Sequence, residues 1–176
     1  MDRLVIAAGA WSRPLAVQLG LDVRLDTERG YIAVLPRATR LPRIPFMAVD
    51  RHIAVTPMET GLRIAGTVEF AGLSAAPNLK RADALLQGVT PFLGNINGKD
   101  AIAWMSFRPS MPDSLPVIGW APGQTRAFLA FGHGHLGLSL AAVTGKLVAE
   151  AVAGRPLSVD IAPFRPGRWL RNGSIN

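Results

Sequence analysis

The 176 residues are enough for one domain and part of another, and with 49% hydrophobic against 18% charged side chains they can build a packed core. The absence of cysteine excludes disulfides, thiolate nucleophiles, iron–sulfur clusters and cysteine-type zinc sites. Sixteen Arg with Lys80, Lys99 and Lys146 outnumber 12 acidic residues to give +7, but they lie one or two per element and are locally dense only at 37–43 and 165–171, a pattern that argues against a nucleic-acid interface and suits an anionic membrane surface better.

In chain order, Leu4-Val5-Ile6-Ala7-Ala8 closed by Gly9 predicts a fully buried strand of a parallel sheet. Such a strand needs neighbours on both sides, and no residues upstream supply them. Residues 1–9 are too short for a signal core and lack a cleavage pattern. Ser12 as N-cap with Pro14 in the first turn predicts a short helix over 12–19. A strand over 31–35 is followed by a Pro- and Arg-rich connection, 36–45. Strands over 52–56 and 62–70 flank the loop 57–61, a hairpin signature. Leu79, Ala82, Leu85, Leu86, Val89 and Leu93 have helical spacing, with Asn78 as the expected cap. Strands follow over 101–107, 115–118 and 127–131, the second entered through the turn Pro112-Asp113-Ser114. A helix over 138–153 is stopped by Gly154 and Pro156, and the tail after Ile161 reads as surface coil. The apolar region 127–152 carries His133, His135, Lys146, Glu150 and several glycines, so a soluble or peripheral protein is expected rather than a membrane span. The element order predicts two sheets: a parallel one touched at both chain ends and an antiparallel one between them.

Gly132-x-Gly134-x-x-Gly137, between a strand and a helix, matches the dinucleotide fingerprint, and Asp160 lies at a suitable distance for the ribose-binding acid. Residues 156–159 make a poor second strand, however, and only 16 residues follow Asp160. Three readings stay open: an NAD-binding module on Gly132, Gly134 and Gly137, a structural turn, or a helix N-terminus facing another anionic cofactor. His133 and His135 would share a face on a strand, but only His52 could complete a metal set, so no metal is expected. One of the two is expected to hydrogen-bond structurally and the other to line a site. Arg108, between a strand and Pro109, wants a carboxylate; a bound ligand and Asp113 are equally good candidates. No nucleophile elbow or paired carboxylates occur, and no residue is named as catalytic.

Five blocks in this order resemble the FAD-dependent amino-acid oxidoreductases (D-amino acid oxidase-like). They are Val5-Ile6-Ala7-Ala8-Gly9-Ala10-Trp11-Ser12, Glu28-Arg29-Gly30-Tyr31, Gly66-Thr67-Val68-Glu69-Phe70, Phe107-Arg108-Pro109-Ser110-Met111-Pro112-Asp113-Ser114-Leu115-Pro116-Val117-Ile118-Gly119 and Gly132-His133-Gly134-His135-Leu136-Gly137-Leu138-Ser139-Leu140-Ala141. The likeness covers about residues 4–168 and is nearest to the D-amino acid dehydrogenase small subunits, including the D-hydroxyproline dehydrogenase type. It departs from them at Ser106, where relatives commonly have Gly, and in lacking a pyrophosphate-binding G-x-G-x-x-G ahead of the Ala8–Trp11 turn.

The resemblance implies a mixed α/β fold: the C-terminal part of a two-domain FAD-dependent oxidoreductase, with an antiparallel substrate-domain sheet plus a remnant of the parallel FAD-binding sheet. It divides the chain into 1–20 as the end of the FAD-binding domain, 21–107 as the substrate-binding sheet with its helix, and 108–176 as the return to the FAD-binding domain. FAD is the implied cofactor, approached by Gly9, Ala10, Trp11, Gly134, His135, Leu136, Gly137 and Leu138. Arg108 and His135 are the implied substrate-binding residues. The implied activity is dehydrogenation of a D-amino acid, or a D-hydroxyproline-like imino acid, by hydride transfer to FAD, in a cytoplasmic protein peripheral to the inner membrane with a quinone acceptor. The resemblance also implies a truncated chain, inactive alone, whose sheet exposes apolar surface; the alternative is a non-catalytic fragment that needs an N-terminal partner chain.

Overall fold

The computed structural model describes residues 2–39, 41–94 and 96–169. Among the described residues, eight strands and three α-helices occur in the order β1 (Leu4–Ile6), α1 (Ser12–Val17), β2 (Asp26–Leu35), β3 (Phe46–Ala48), β4 (Ile53–Met58), β5 (Gly61–Glu69), α2 (Lys80–Leu93), β6 (Ile102–Ser110), β7 (Val117–Trp120), β8 (Ala127–Phe131) and α3 (Gly137–Val152). The chain forms two compact units, one of residues 1–27 with 108–176 and the other of residues 28–107. It passes from the first to the second within β2 and returns within β6.

The first unit holds a three-stranded sheet of order β1-β8-β7. β1 runs parallel to β8, with Val5 opposite Phe128, and β7 runs antiparallel to β8, with Val117 opposite Phe131. The sheet is therefore mixed rather than purely parallel. Every residue of β8 is buried, as its unbroken apolar sequence demands of a central strand. β1 differs from expectation: Ile6 is 4% exposed, but Leu4 and Val5 are 39% and 38% exposed. Among the described residues no strand pairs with its outer edge. Arg3 donates to the Ala151 and Val152 carbonyls at the end of α3, where a cation also offsets the negative pole of the helix.

Helix α3 buries Thr144, Leu147 and Ala151, the last in a cluster with Ile118 and Phe128. By length and composition residues Gly134–Val152 would suffice to cross a membrane. In the fold α3 covers a sheet, and its Lys146 and Glu150 pair at 3.6 Å. The tail is not the surface coil expected up to residue 169. A short 3-10 turn, Ala162–Phe164, leads to Pro166, which lies so close to β7 that a Cβ on Gly119 would meet its Cδ at 2.9 Å. Trp169 packs against the core cluster of Ile6, Val117 and Leu129. Residues 170–171 of the basic segment lie outside the described residues.

The second unit is a five-stranded sheet of order β3-β4-β5-β2-β6 with α2 against it. Val55 and Ile64 are paired neighbours, and they share a core with Leu35, Ile53, Leu62, Leu85 and Val89. The helix face Ala82, Leu85 and Val89 follows the sequence period. Two expected caps are not made. α2 starts at Lys80 after Leu79, while Asn78 spends its backbone N–H on the Tyr31 hydroxyl, 2.9 Å away. α1 starts at Ser12 itself, whose buried hydroxyl finds no hydrogen-bond partner. β3 falls just beyond the Pro- and Arg-rich connection, where the sequence showed no strand signal.

The hairpin between β4 and β5 closes through Glu59 and Thr60 alone, with Met58 opposite Gly61, a tighter turn than the five-residue loop expected. Gly61 has φ +120°, and a Cβ there would sit 2.2 Å from the Leu35 carbonyl oxygen. That oxygen belongs to backbone and cannot swing aside. Gly61→Ala is therefore expected to destabilise the second unit by about 2–3 kcal/mol, strain in a Gly-only conformation adding to the clash, with urea unfolding as the measurement. An unchanged midpoint would show that the hairpin can reopen at no cost.

A bulge interrupts the β2–β5 ladder between Gly30 and Tyr31. It leaves Thr67 between the Gly66 and Val68 pairings at φ +52°, rare for a β-branched residue. The hydroxyl of Thr67 accepts from Arg81 at 2.8 Å. Around it lies a charged cluster built on β2, β5 and the start of α2. Arg29 is wholly buried, donates through Nε to Gly72 O at 2.7 Å and lies 3.7 Å from Glu69. Tyr31 donates to the same Glu69 carboxylate at 2.5 Å, and Arg81 reaches its other oxygen at 3.4 Å. The Tyr31 hydrogen bond, aided by the two arginines, holds the Glu69 carboxyl below its usual range.

Candidate functional site

The strand register brings the candidate residues of the first unit together. β1 and β8 are parallel, so the turns that leave them emerge at the same end of the sheet. β7 is antiparallel to β8 and begins opposite Phe131, so the turn that enters it arrives at that end as well. Residues 7–11, 111–116 and 132–136 therefore meet beyond the carboxyl ends of the parallel pair, where open α/β sheets take their ligands. The expectation of a site on the Gly9–Trp11 and Gly134–Leu138 turns had no such spatial argument behind it. The register supplies one.

At the first turn Gly9 has φ +56°, Ala10 is buried and Trp11 is 54% exposed. At the third, Gly134–Leu136 form a 3-10 turn that runs into α3 at Gly137. His135 and Leu136 are exposed, and Leu138 is 94% exposed. The residue before α3, Leu136, offers no side-chain cap, and the first helical turn holds no acidic residue. No side-chain cap and no carboxylate in its first turn therefore offset the positive pole of this 16-residue helix.

The two histidines do not share a face, because the chain there is a turn rather than a strand. His133 bonds through Nε2 to the Thr144 hydroxyl at 3.0 Å, fastening the turn to the helix about two turns into α3. Burial holds its pKa below the usual imidazole value, so it stays neutral around neutral pH. His133 is the structural histidine, and His135 is the one at the surface of the turn. Among the described residues no three His, Asp or Glu converge as metal ligands.

Arg108 is half-buried near the end of β6. The Asp113 carboxylate, weighed in the sequence as its internal partner, is held instead by Arg168, with Nε 2.7 Å from Oδ2 and an η-nitrogen 3.1 Å from Oδ1. Sequence reasoning missed Arg168 because 55 residues separate the pair. The turns also touch. A Cβ on Gly132 would meet Met111 Cγ at 2.7 Å, so only glycine lets the two segments approach this closely. A Cβ on Gly134 would lie 3.8 Å from Ser110 Oγ.

The dinucleotide reading of Gly132, Gly134 and Gly137 loses its second half here. Among the described residues no strand follows α3, and Asp160 accepts the Ala162 N–H at 2.9 Å, closing the 3-10 turn of the tail. The donor set at the head of α3, with the open space beside Gly9, does fit the electron-rich edge of a ring system that gains negative charge on reduction. No phosphate-binding glycine loop follows β1.

The family profile described as FAD dependent oxidoreductase (DAO) matches residues 1–151. A D-amino-acid oxidase of Bradyrhizobium diazoefficiens is 44% identical over 173 residues, 96% of this chain and 41% of that protein. A D-amino acid dehydrogenase of Cereibacter sphaeroides is 32% identical over 172 residues, 96% of this chain and 39% of its own length. The crystal structure of glycine oxidase from Geobacillus kaustophilus superposes with a TM-score of 0.81 at 25% identity, covering 96% of this chain and 46% of that one. The chain thus spans about two fifths of the length of these curated relatives.

Proposed function

Because this chain belongs to the FAD dependent oxidoreductase (DAO) family, we propose that it carries the flavin-facing turns and the substrate-gripping arginine of an enzyme that oxidises a D-amino acid. Bound FAD supplies the acceptor for the hydride that leaves the amino-acid Cα. The chain's own part is orientation. Arg108 grips the substrate carboxylate, His135 lines the pocket, and the head of α3 offers N–H groups and positive dipole to the charge that reduction places on the ring. At a helix terminus such stabilisation is worth about 0.3–2 kcal/mol.

One observation carries the reading: the turns after β1 and β8 and before β7 converge at one end of the sheet, beside an uncapped helix N-terminus. Relatives named for D-amino acids at 44% and 32% identity support the substrate class. The D-amino acid itself, with the D-hydroxyproline type included, is part of the proposal.

We further propose that the FAD pyrophosphate is held by polypeptide beyond these 176 residues, in the same protein or in a partner chain. The support is an apolar concavity of about 410 Å³ along the outer side of β1, lined by Leu4, Val5, Leu15 and Leu19 among others. The length of the relatives points the same way. The dispersed positive charge supports a place at an anionic membrane surface; the quinone acceptor and the cytoplasmic setting belong to the proposal through the family resemblance alone.

The test is the visible spectrum of the protein before and after incubation with FAD and desalting, followed by anaerobic addition of amino acids. Flavin retained by this chain alone would remove the need for further polypeptide. Colour that appears only when the chain is joined to a flavin-binding half supports it. Bleaching by D- but not L-amino acids is the expected outcome; bleaching by L-amino acids alone overturns the substrate reading.

A further inference from the structure

We propose that Arg168 is a positioning residue for Arg108, acting through the Asp113 carboxylate and the stiff turn between them. The inference rests on the reading of Arg108 as the substrate-gripping residue.

The observations lie within the first unit. Arg168 meets both oxygens of Asp113, at 2.7 and 3.1 Å, and adds a third bond to the Leu115 carbonyl at 2.6 Å. It is held in turn from its own side, since it stacks on the Trp169 ring with 3.7 Å to the centroid and donates to Phe164 O at 3.2 Å. Its side chain is only 8% exposed. An exposed ion pair between flexible side chains would be worth little. This one is bidentate, nearly dry on the arginine side and anchored to the core through Trp169.

The turn it grips does not hold its shape cheaply. Ser114 sits at φ +59°, a conformation costly for a non-glycine residue and maintained only where the surroundings enforce it. The Asp113 carboxylate also accepts the Leu115 N–H at 3.2 Å. The Arg168 hydrogen bonds hold the Asp113 carboxyl below its usual range, which favours the ionised partner that the clamp needs.

From Asp113 the chain runs back through Pro112, Met111, Ser110 and Pro109 to Arg108. Two prolines with fixed φ make this segment a short lever rather than a slack tether. Its far side is seated too, because Met111 is 5% exposed and wedged against Gly132. The segment is thus gripped between the C-terminal strap and the glycine turn, and removing the strap frees one side. A guanidinium must meet a carboxylate as a planar fork, and a small error in placement weakens both bonds together.

The experiment uses the flavin-loaded enzyme that contains this chain, with the D-amino acid it turns over as substrate and acetate as a competing carboxylate. Arg168→Leu is expected to raise KM about tenfold, with kcat held within about twofold, and to raise the acetate inhibition constant in parallel. Asp113→Asn is expected to act in the same direction, and the double variant to be no worse than Arg168→Leu, because both act through one contact. Arg168→Lys restores the charge without the fork and is expected to recover only part of the effect. If Arg168→Leu does not fold, Asp113→Asn and Arg168→Lys carry the test.

A lowered Tm with unchanged KM and acetate binding would make the strap merely structural and overturn the inference. Arg108→Leu separates this from failure of the underlying reading. If Arg108→Leu raises KM and Arg168→Leu does not, only the positioning role falls. If Arg108→Leu leaves KM unchanged, the carboxylate grip falls and the positioning role with it.

Discussion

Arg108→Leu is expected to raise KM for the amino acid about 100-fold, a loss of about 3 kcal/mol, while FAD stays bound. A carboxylate held by a guanidinium fork makes two charge-assisted hydrogen bonds, each worth about 1.5–3 kcal/mol, and leucine supplies neither. The loss falls on KM because the carboxylate does not change charge during hydride transfer, so the grip is as strong in the ground state as in the transition state. Any fall in kcat would measure how far the grip also aligns Cα with the flavin. Steady-state kinetics with the flavin content recorded for each variant decides the matter. An unchanged KM would leave Arg108 structural.

Arg29→Leu is expected to destabilise the second unit by about 3 kcal/mol, the lower end of what breaking a buried ion pair costs. The lower end applies because Glu69 keeps the Tyr31 hydroxyl and Arg81 as partners. The loop after β5 suffers more directly, since the Gly72 and Ala76 carbonyls lose their donor. Against a typical domain stability of about 5–15 kcal/mol this is enough to unfold the unit in part at physiological temperature. Hydrogen exchange should show protection lost in β2 and β5, with β8 unaffected, and equal protection in both proteins would exclude the role.

The same cluster sets an acid limit. Glu69 has its pKa lowered in the folded state, so its contribution is fully present above the ordinary value of 4.5 and is lost as pH falls through the lower folded value. Glu69→Gln is expected to flatten the stability profile in that acid window.

Much of the fold was legible because it depends on local pattern. The unbroken apolar run 127–131 has one stable use, a strand buried on both faces, and β8 is that strand. The helical period of Ala82, Leu85 and Val89 likewise marks the face of α2 that is buried. The mistakes have a common cause. Leu4 and Val5 share the composition of β8, but a strand's burial depends on its neighbours, and β1 has a strand on one side only among the described residues. Asn78 looked like a cap because Asn often is one; here α2 starts at Lys80 after Leu79, and no side chain caps it. The tail looked like coil because nothing near it in sequence shows that Gly119 leaves room for Pro166.

The two-sheet order of elements and the glycine turn before a long apolar helix could be read from the amino-acid order alone. Residue type and spacing are enough for each of these. It took the folded chain to show that Arg168 holds the Asp113 carboxylate, that His133 is the half-buried histidine bonded to Thr144, and that three turns distant in sequence meet at one end of a sheet. Such choices turn on strand register and on partners 11 to 55 residues apart. Local physical chemistry does not encode those partners, because the free energy that selects them appears only once the sheet has formed.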